Sequence, residues 1–185
     1  MSVSKGSITA IDVNPEARVA VVGSRRSPRE WCDHARRIGA AIVRQGGVII
    51  SGGAPGIDQA AISGGASEDP KRCIVLLPWT SFEREQVPEG VSVWPGPYHP
   101  HTRTLARKAV RGWDSRSRGA RATLTRNAGI CRTSDIMIAY PGGGGGTEHA
   151  MRCMEILGRT IVKGTELNRV GNEEIPFRGR QIPLV

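Results

Sequence analysis

Aromatic residues are scarce in this chain of 185 residues: Phe, Trp and Tyr together make up 4%. A binding surface built mainly on stacked rings is therefore not expected. The four cysteines, Cys32, Cys73, Cys131 and Cys153, share no C-x-x-C spacing. That argues against a zinc site or a disulfide framework and for reduced, mostly buried thiols. No apolar run comes near the ~20 residues that span a bilayer, and the opening stretch MSVSKGSITAIDVNPEAR lacks the apolar centre of a secretory signal. A cytoplasmic location with no membrane partner is the expectation. Two nucleotide-binding fingerprints are missing as well. The sequence PGGGGGTEH does not end in G-K-[ST], and GSRRSP lacks the second and third glycines of G-x-G-x-x-G. P-loop ATP hydrolysis and nicotinamide-linked hydride transfer are disfavoured on that ground.

Glycine and positive charge are in excess. The chain has 24 glycines, about twice the usual ~7%, and they cluster. Lys and Arg number 26 against 17 Asp and Glu, a net charge of +9, which favours polyanionic partners such as nucleotides or nucleic acid. With 38% hydrophobic and 23% charged residues, the composition suits one globular domain.

Short β-branched runs alternate with helical periods. Residues 18–22, 48–50, 73–77, 135–140 and 160–162 are expected as buried strands, with a further short one near 91–94. A helix is expected to start at Ser27-Pro28, with Ser27 as N-cap, and to carry Trp31, Ala35, Ile38 and Ile42 on its inner face. A second should begin near Pro55 and end at Gly64-Gly65. Residues 104–132 have a helical period broken around Gly112 and Gly119, and residues 148–157 return to helix. This rhythm predicts a single-domain α/β fold, a Rossmann-like, doubly wound and mostly parallel sheet. Residues 1–17 are expected as a flexible arm, 18–163 as the domain, and 164–185 as a tail packed on it.

In such sheets ligands sit outside the carboxyl ends of the strands. Three loops fall there. The first begins Gly23-Ser24-Arg25. The second contains Ser51, Gly52, Gly53, Gly56 and Asp58. The third is Pro141, then Gly142, Gly143, Gly144, Gly145 and Gly146, then Thr147 as an expected N-cap. Loops that leave a strand and open a helix offer free backbone N–H groups to a phosphate, and glycine lets the chain come close. All three are expected to converge on one crevice that holds phosphate and ribose. Asp58 would either cap the helix dipole or contact a ligand hydroxyl.

Together these loops resemble the SLOG superfamily, which joins the DNA-processing protein DprA to the LOG phosphoribohydrolases. Val22-Gly23-Ser24-Arg25 and the stretch SGGAPGID at 51–58 are similar to the DprA loops, and RNAGICRTSD at 126–135 followed by Pro141-Gly142-Gly143 resembles the LOG pattern. The likeness spans roughly residues 18–163. It implies a Rossmann-like fold that binds a nucleotide or a nucleic-acid phosphate. It also implies phosphate contacts from Arg126 and Asn127, and a protein that associates with itself. Met151, Met154 and Leu157 offer either a shared helix face or ordinary packing on the sheet. In the LOG enzymes an Arg and a Glu support cleavage of a nucleoside monophosphate's N-glycosidic bond. Arg126 matches the first, but an extra glycine puts Ala150 at the position of the second, and only Glu148 offers a displaced carboxylate.

Nine basic residues lie between 103 and 132, opposed by Asp114 alone. Arg103, Arg107 and Arg111 have the i, i+4, i+8 spacing of one helix face, and with Lys108 and Arg25 they are expected to contact single-stranded DNA if DNA is the ligand. His99-Pro100-His101 has no Cys or carboxylate at ligand spacing, so no metal is expected there. Trp79, directly after a strand, suits packing or a stacked base. Three readings follow: a nucleotide-binding protein, a DprA-like binder of single-stranded DNA, and a LOG-like hydrolase. No cofactor is expected beyond the nucleotide as ligand or substrate.

Overall fold

The β-branched runs become the centre of the molecule. The structure, a computed structural model, describes residues 8–96, 98–142 and 145–178. In chain order its elements are β1 (Ala10–Ile11), β2 (Arg18–Gly23), α1 (Arg29–Arg44), β3 (Val48–Ser51), α2 (Ile57–Glu68), β4 (Cys73–Leu77), β5 (Ser92–Pro95), α3 (Pro100–Lys108), α4 (Arg118–Thr133), β6 (Ile136–Tyr140), α5 (Gly145–Ile156), β7 (Thr160–Lys163), β8 (Arg169–Val170) and β9 (Glu173–Glu174).

Six strands form one sheet in the order β5-β4-β3-β2-β6-β7, every neighbouring pair parallel. Successive strand residues point to opposite faces, so Val19, Val21, Ile49 and Val75 pack with α1 and α2, while Ala20, Val22, Ile50 and Leu76 pack with α3, α4 and α5. The expected α/β Rossmann-like architecture is the one observed. The chain walks outward from β2 to β5, then returns to the other side of β2 as β6. That reversal opens a crevice at the carboxyl ends of β2 and β6.

Several elements differ from expectation. Helix α2 does not stop at Gly64-Gly65 but runs through both. A Cβ on Gly64 would collide with the Arg36 carbonyl of α1, and one on Gly39 with the Ala61 carbonyl of α2. These glycines let the two helices touch backbone to backbone. The break expected around Gly112 and Gly119 is observed, since α3 ends at Lys108 and α4 starts at Arg118. Pro28, not Ser27, holds the N-cap position of α1; the Ser27 hydroxyl instead donates to the Ser24 carbonyl at 3.0 Å. Asp135 lies just outside β6. Its carboxylate accepts the Arg18 amide at 2.9 Å and its own amide donates to the Arg18 carbonyl at 2.7 Å, which fixes β6 beside β2.

Within the arm expected at 1–17, β1 pairs in parallel with β8, and β8 pairs with β9 to form a three-stranded sheet. This sheet and Ile175 cover α1 on the first face. His34 of α1 is fully buried there, its Nε2–H donating to the Ile175 carbonyl (3.0 Å) and its Nδ1 accepting from the Tyr140 hydroxyl (2.7 Å). Met154 is fully buried, and Met151 and Leu157 pack on the same core. Among the described residues no helix is long and apolar enough to cross a membrane.

Candidate functional site

Loop and helix residues from four elements meet in the crevice between β2 and β6. A cavity of about 360 Å³ opens there, walled by Gly23, Ser24, Arg25 and Arg26 after β2, by Ala54 and Asp58, by Thr123, Arg126 and Asn127 of α4, and by Gly146, Thr147 and Ala150 of α5. This volume lies toward the lower end of small-molecule sites.

Its floor is charged and buried. Arg126 is 5% exposed and Asp58 6%. The Asp58 carboxylate accepts the backbone N–H of Gly23 (3.1 Å) and of Gly52 (3.2 Å), tying the first loop to the second. Arg126 donates through Nη1 to the Gly52 carbonyl at 2.6 Å. Burial pushes the Asp58 carboxyl up from its ordinary range, against the pull of Arg126 and the two amides. Burial also pulls Arg126 down, and Asp58 opposes that shift. The Arg126 Nε is buried and has no hydrogen-bond partner among the described residues. A buried guanidinium N–H left unmade is costly, and other atoms of the Arg126 side chain line the cavity.

The first loop contributes Gly23, Ser24 and Arg25 as expected of it, but Arg25 is already engaged. Its Nη1 and Nη2 meet the Glu83 carboxylate at 2.5 and 3.1 Å, and its guanidinium lies 5.7 Å over the Phe82 ring. Arg26 also lines the cavity, and sequence reasoning passed it over. The only signal for it was its place in the same loop.

The second loop departs from its expected role. The Ser51 hydroxyl donates to the Val21 carbonyl at 2.7 Å, and the Gly52 amide is held by Asp58. Neither is left for a phosphate. Gly53 and Gly56 have φ of +66° and +91°, and a side chain on Gly56 would strike the Ser24 carbonyl. These glycines shape the wall and leave Ala54 and Asp58 to face the cavity.

In the third loop, Gly143 and Gly144 lie outside the described residues. Pro141 and Gly142 do not line the cavity, and Gly145 is exposed. Helix α5 starts at Gly145, so Thr147 sits inside the first turn rather than at the cap, 7% exposed and on the cavity wall. Asn127 donates through Nδ2 to the Gly146 carbonyl at 3.1 Å, which holds the start of α5 against α4. Glu148 is exposed and does not line the cavity; Ala150 does.

The basic stretch does not form one face. Helix α3 ends at Lys108, so Arg111 is beyond it. Arg107 pairs with Asp114 at 3.0 Å, while Lys108 and Arg111 line a separate depression with Arg116 and Arg152. Arg103 lies with Arg118 and Arg121 along a groove of about 970 Å³ beyond β4 and β5.

Comparison with known proteins bears on the fold. Residues 5–81 match the family model of DNA recombination-mediator protein A, a span that holds the first two loops. The fold is similar to that of DNA processing protein A from Helicobacter pylori, described for its single-stranded DNA binding mode, with TM-score 0.55 and 18% identity over 84% of this chain and 75% of that one. DNA processing protein A from Streptococcus pneumoniae is similar at TM-score 0.54 and 22% identity, over 79% of this chain and 49% of that one. The molybdenum cofactor binding protein from Rippkaea orientalis is similar at TM-score 0.56 and 18% identity, over 80% and 76%. No curated protein matches the chain. The likeness to the SLOG proteins thus rests on the family-model match and on the shared fold.

Proposed function

We propose that the chain is a SLOG-type nucleotide-binding protein that seats a phosphate in the cavity between β2 and β6. The observation that carries this reading is the buried Arg126 side chain on the wall of a cavity that also receives the first turn of α5. Free N–H groups and the positive end of a helix favour an anion at that turn. Arg26 adds charge at the wall, and Arg25 can add more by leaving Glu83. The named ligands of similar proteins, single-stranded DNA in one and a molybdenum cofactor in another, both carry phosphate. A hydrolytic role has less support, because the cavity wall carries Ala150 where the LOG pattern has a carboxylate.

The test is calorimetric titration of adenosine monophosphate into wild type and Gly146→Asp. A Cβ on Gly146 meets nothing closer than the Asn127 amide at 3.7 Å, and an acidic residue in a helix's first turn favours the fold. The variant is expected to fold as wild type and to bind at least ~10-fold more weakly, by repulsion of the phosphate. Unchanged affinity in the folded variant overturns the reading.

A second reading, binding of single-stranded DNA, is favoured by Arg103, Arg118 and Arg121 along one groove and by the family-model match. Its test is salt dependence, argued below.

A further inference from the structure

We infer that the groove beyond β4 and β5 is a second ligand site, one that takes a planar aromatic ring bearing phosphate, with the ring on Trp79 and the phosphate among Arg103, Arg118 and Arg121. Few aromatic residues are available to this chain, yet three of them, Trp79, Tyr98 and Trp113, line this groove. Trp113 is buried and forms wall. Tyr98 is fixed by its hydroxyl, which donates to the Leu77 carbonyl at 2.5 Å. Trp79 is different: it is 40% exposed, and Phe82 braces it edge to face at 4.8 Å and 78°. A braced, half-open indole is a surface on which a ring can stack.

Charge supplies the second half. Arg25, Arg44, Arg72 and Arg107 each have an acidic partner, whereas Arg103, Arg118 and Arg121 have none among the described residues. Among the described residues no Asp or Glu lines the groove. Three arginines along one groove without a counter-charge give it a positive potential that favours an anion.

The groove and the phosphate cavity lie on adjoining faces of α4: Thr123 and Arg126 face the cavity, Arg121 and Thr125 the groove. Between them runs a chain of contacts from Arg25 over Phe82 to Trp79. Two sources of the ring and phosphate fit. One is the second unit of a short strand whose first phosphate is in the cavity, and in that form the inference rests on the function proposed above. The other is a free nucleotide, which does not depend on it.

The experiment titrates adenosine monophosphate, the 5′-phosphorylated dinucleotide pApA and ribose 5-phosphate into wild type, Trp79→Ala, Gly119→Glu and Gly146→Asp. Binding is read by calorimetry and tryptophan fluorescence. A Cβ on Gly119 meets nothing within 4 Å, and the residue is in the first turn of α4, so Gly119→Glu adds negative charge to the groove without strain. A free-nucleotide site gives two monophosphates per chain, one lost in Trp79→Ala and Gly119→Glu. A strand site gives one pApA per chain, bound roughly 10- to 100-fold more tightly than the monophosphate, the advantage vanishing in both groove variants. Ribose 5-phosphate, lacking the ring, leaves Trp79 fluorescence unchanged. If Gly146→Asp has no effect while Gly119→Glu abolishes binding, the cavity reading fails and the groove stands. If both groove variants bind every probe as wild type does, or wild type binds none, the inference is overturned.

Discussion

His34 illustrates how one buried side chain ties the carboxyl-terminal segment to the sheet. Its two ring nitrogens connect Ile175 to Tyr140 of β6, and burial keeps the imidazole neutral, below its ordinary value of 6.5. The unfolded chain takes up a proton near pH 6.5 that the folded chain refuses. Unfolding is therefore favoured progressively as pH falls below that value, by at most ~1.4 kcal/mol per pH unit. Urea denaturation from pH 7.5 to 5 is expected to reveal this loss in wild type and a shallower loss in His34→Gln. Equal slopes would assign the pH dependence to other groups. The residue scale also separates arginines that look alike in sequence. Arg126 stands in the basic stretch with its neighbours, yet it alone of the nine is buried, because it falls on the sheet side of α4 opposite Gly52.

At the scale of elements, the close crossing of α1 on α2 is where local preference and packing oppose each other. Alanine is a better helix former than glycine by roughly 1 kcal/mol, so propensity alone says Gly64→Ala stabilises α2. The contact says otherwise, since the new Cβ would collide with the Arg36 carbonyl, a backbone atom that cannot rotate away. Gly64→Ala is expected to lower stability by about 1–3 kcal/mol, with a fall in urea midpoint as the measure. A rise would mean that the helices separate without penalty. A glycine pair near the end of a periodic run reads as a stop signal from sequence, and only the neighbouring helix converts it into a contact.

The whole molecule carries +9, and its distribution decides what that charge can do. If single-stranded DNA lies along the groove, affinity should fall with salt at a slope near −0.7 per phosphate neutralised. Replacing Arg103, Arg118 and Arg121 by Ala is expected to reduce the slope by about two units. Replacing Lys108 and Arg111, which line a different depression, should change it little. Gel-shift titration at several salt concentrations tests both. Equal effects from the two sets would mean that DNA is held by overall charge and not by the groove.

The strands, their parallel arrangement and the three loops at their carboxyl ends were legible in the sequence, because each depends on residues adjacent in the chain. Apolar periodicity sets the element, and the residue types that follow it set the loop. The likeness to the SLOG proteins rested on the same local strings. Placing β2 between β3 and β6 was a tertiary event, and much of the site's detail follows from it. That order brings Asp58 under the amides of Gly23 and Gly52 and sets Arg126 against the Gly52 carbonyl. It also turns Ser51 inward to Val21. An exposed amide and a satisfied one have the same sequence, and so do a free arginine and a paired one. Which is which depends on partners far away in the chain, and only the folded structure brings those partners within a hydrogen bond.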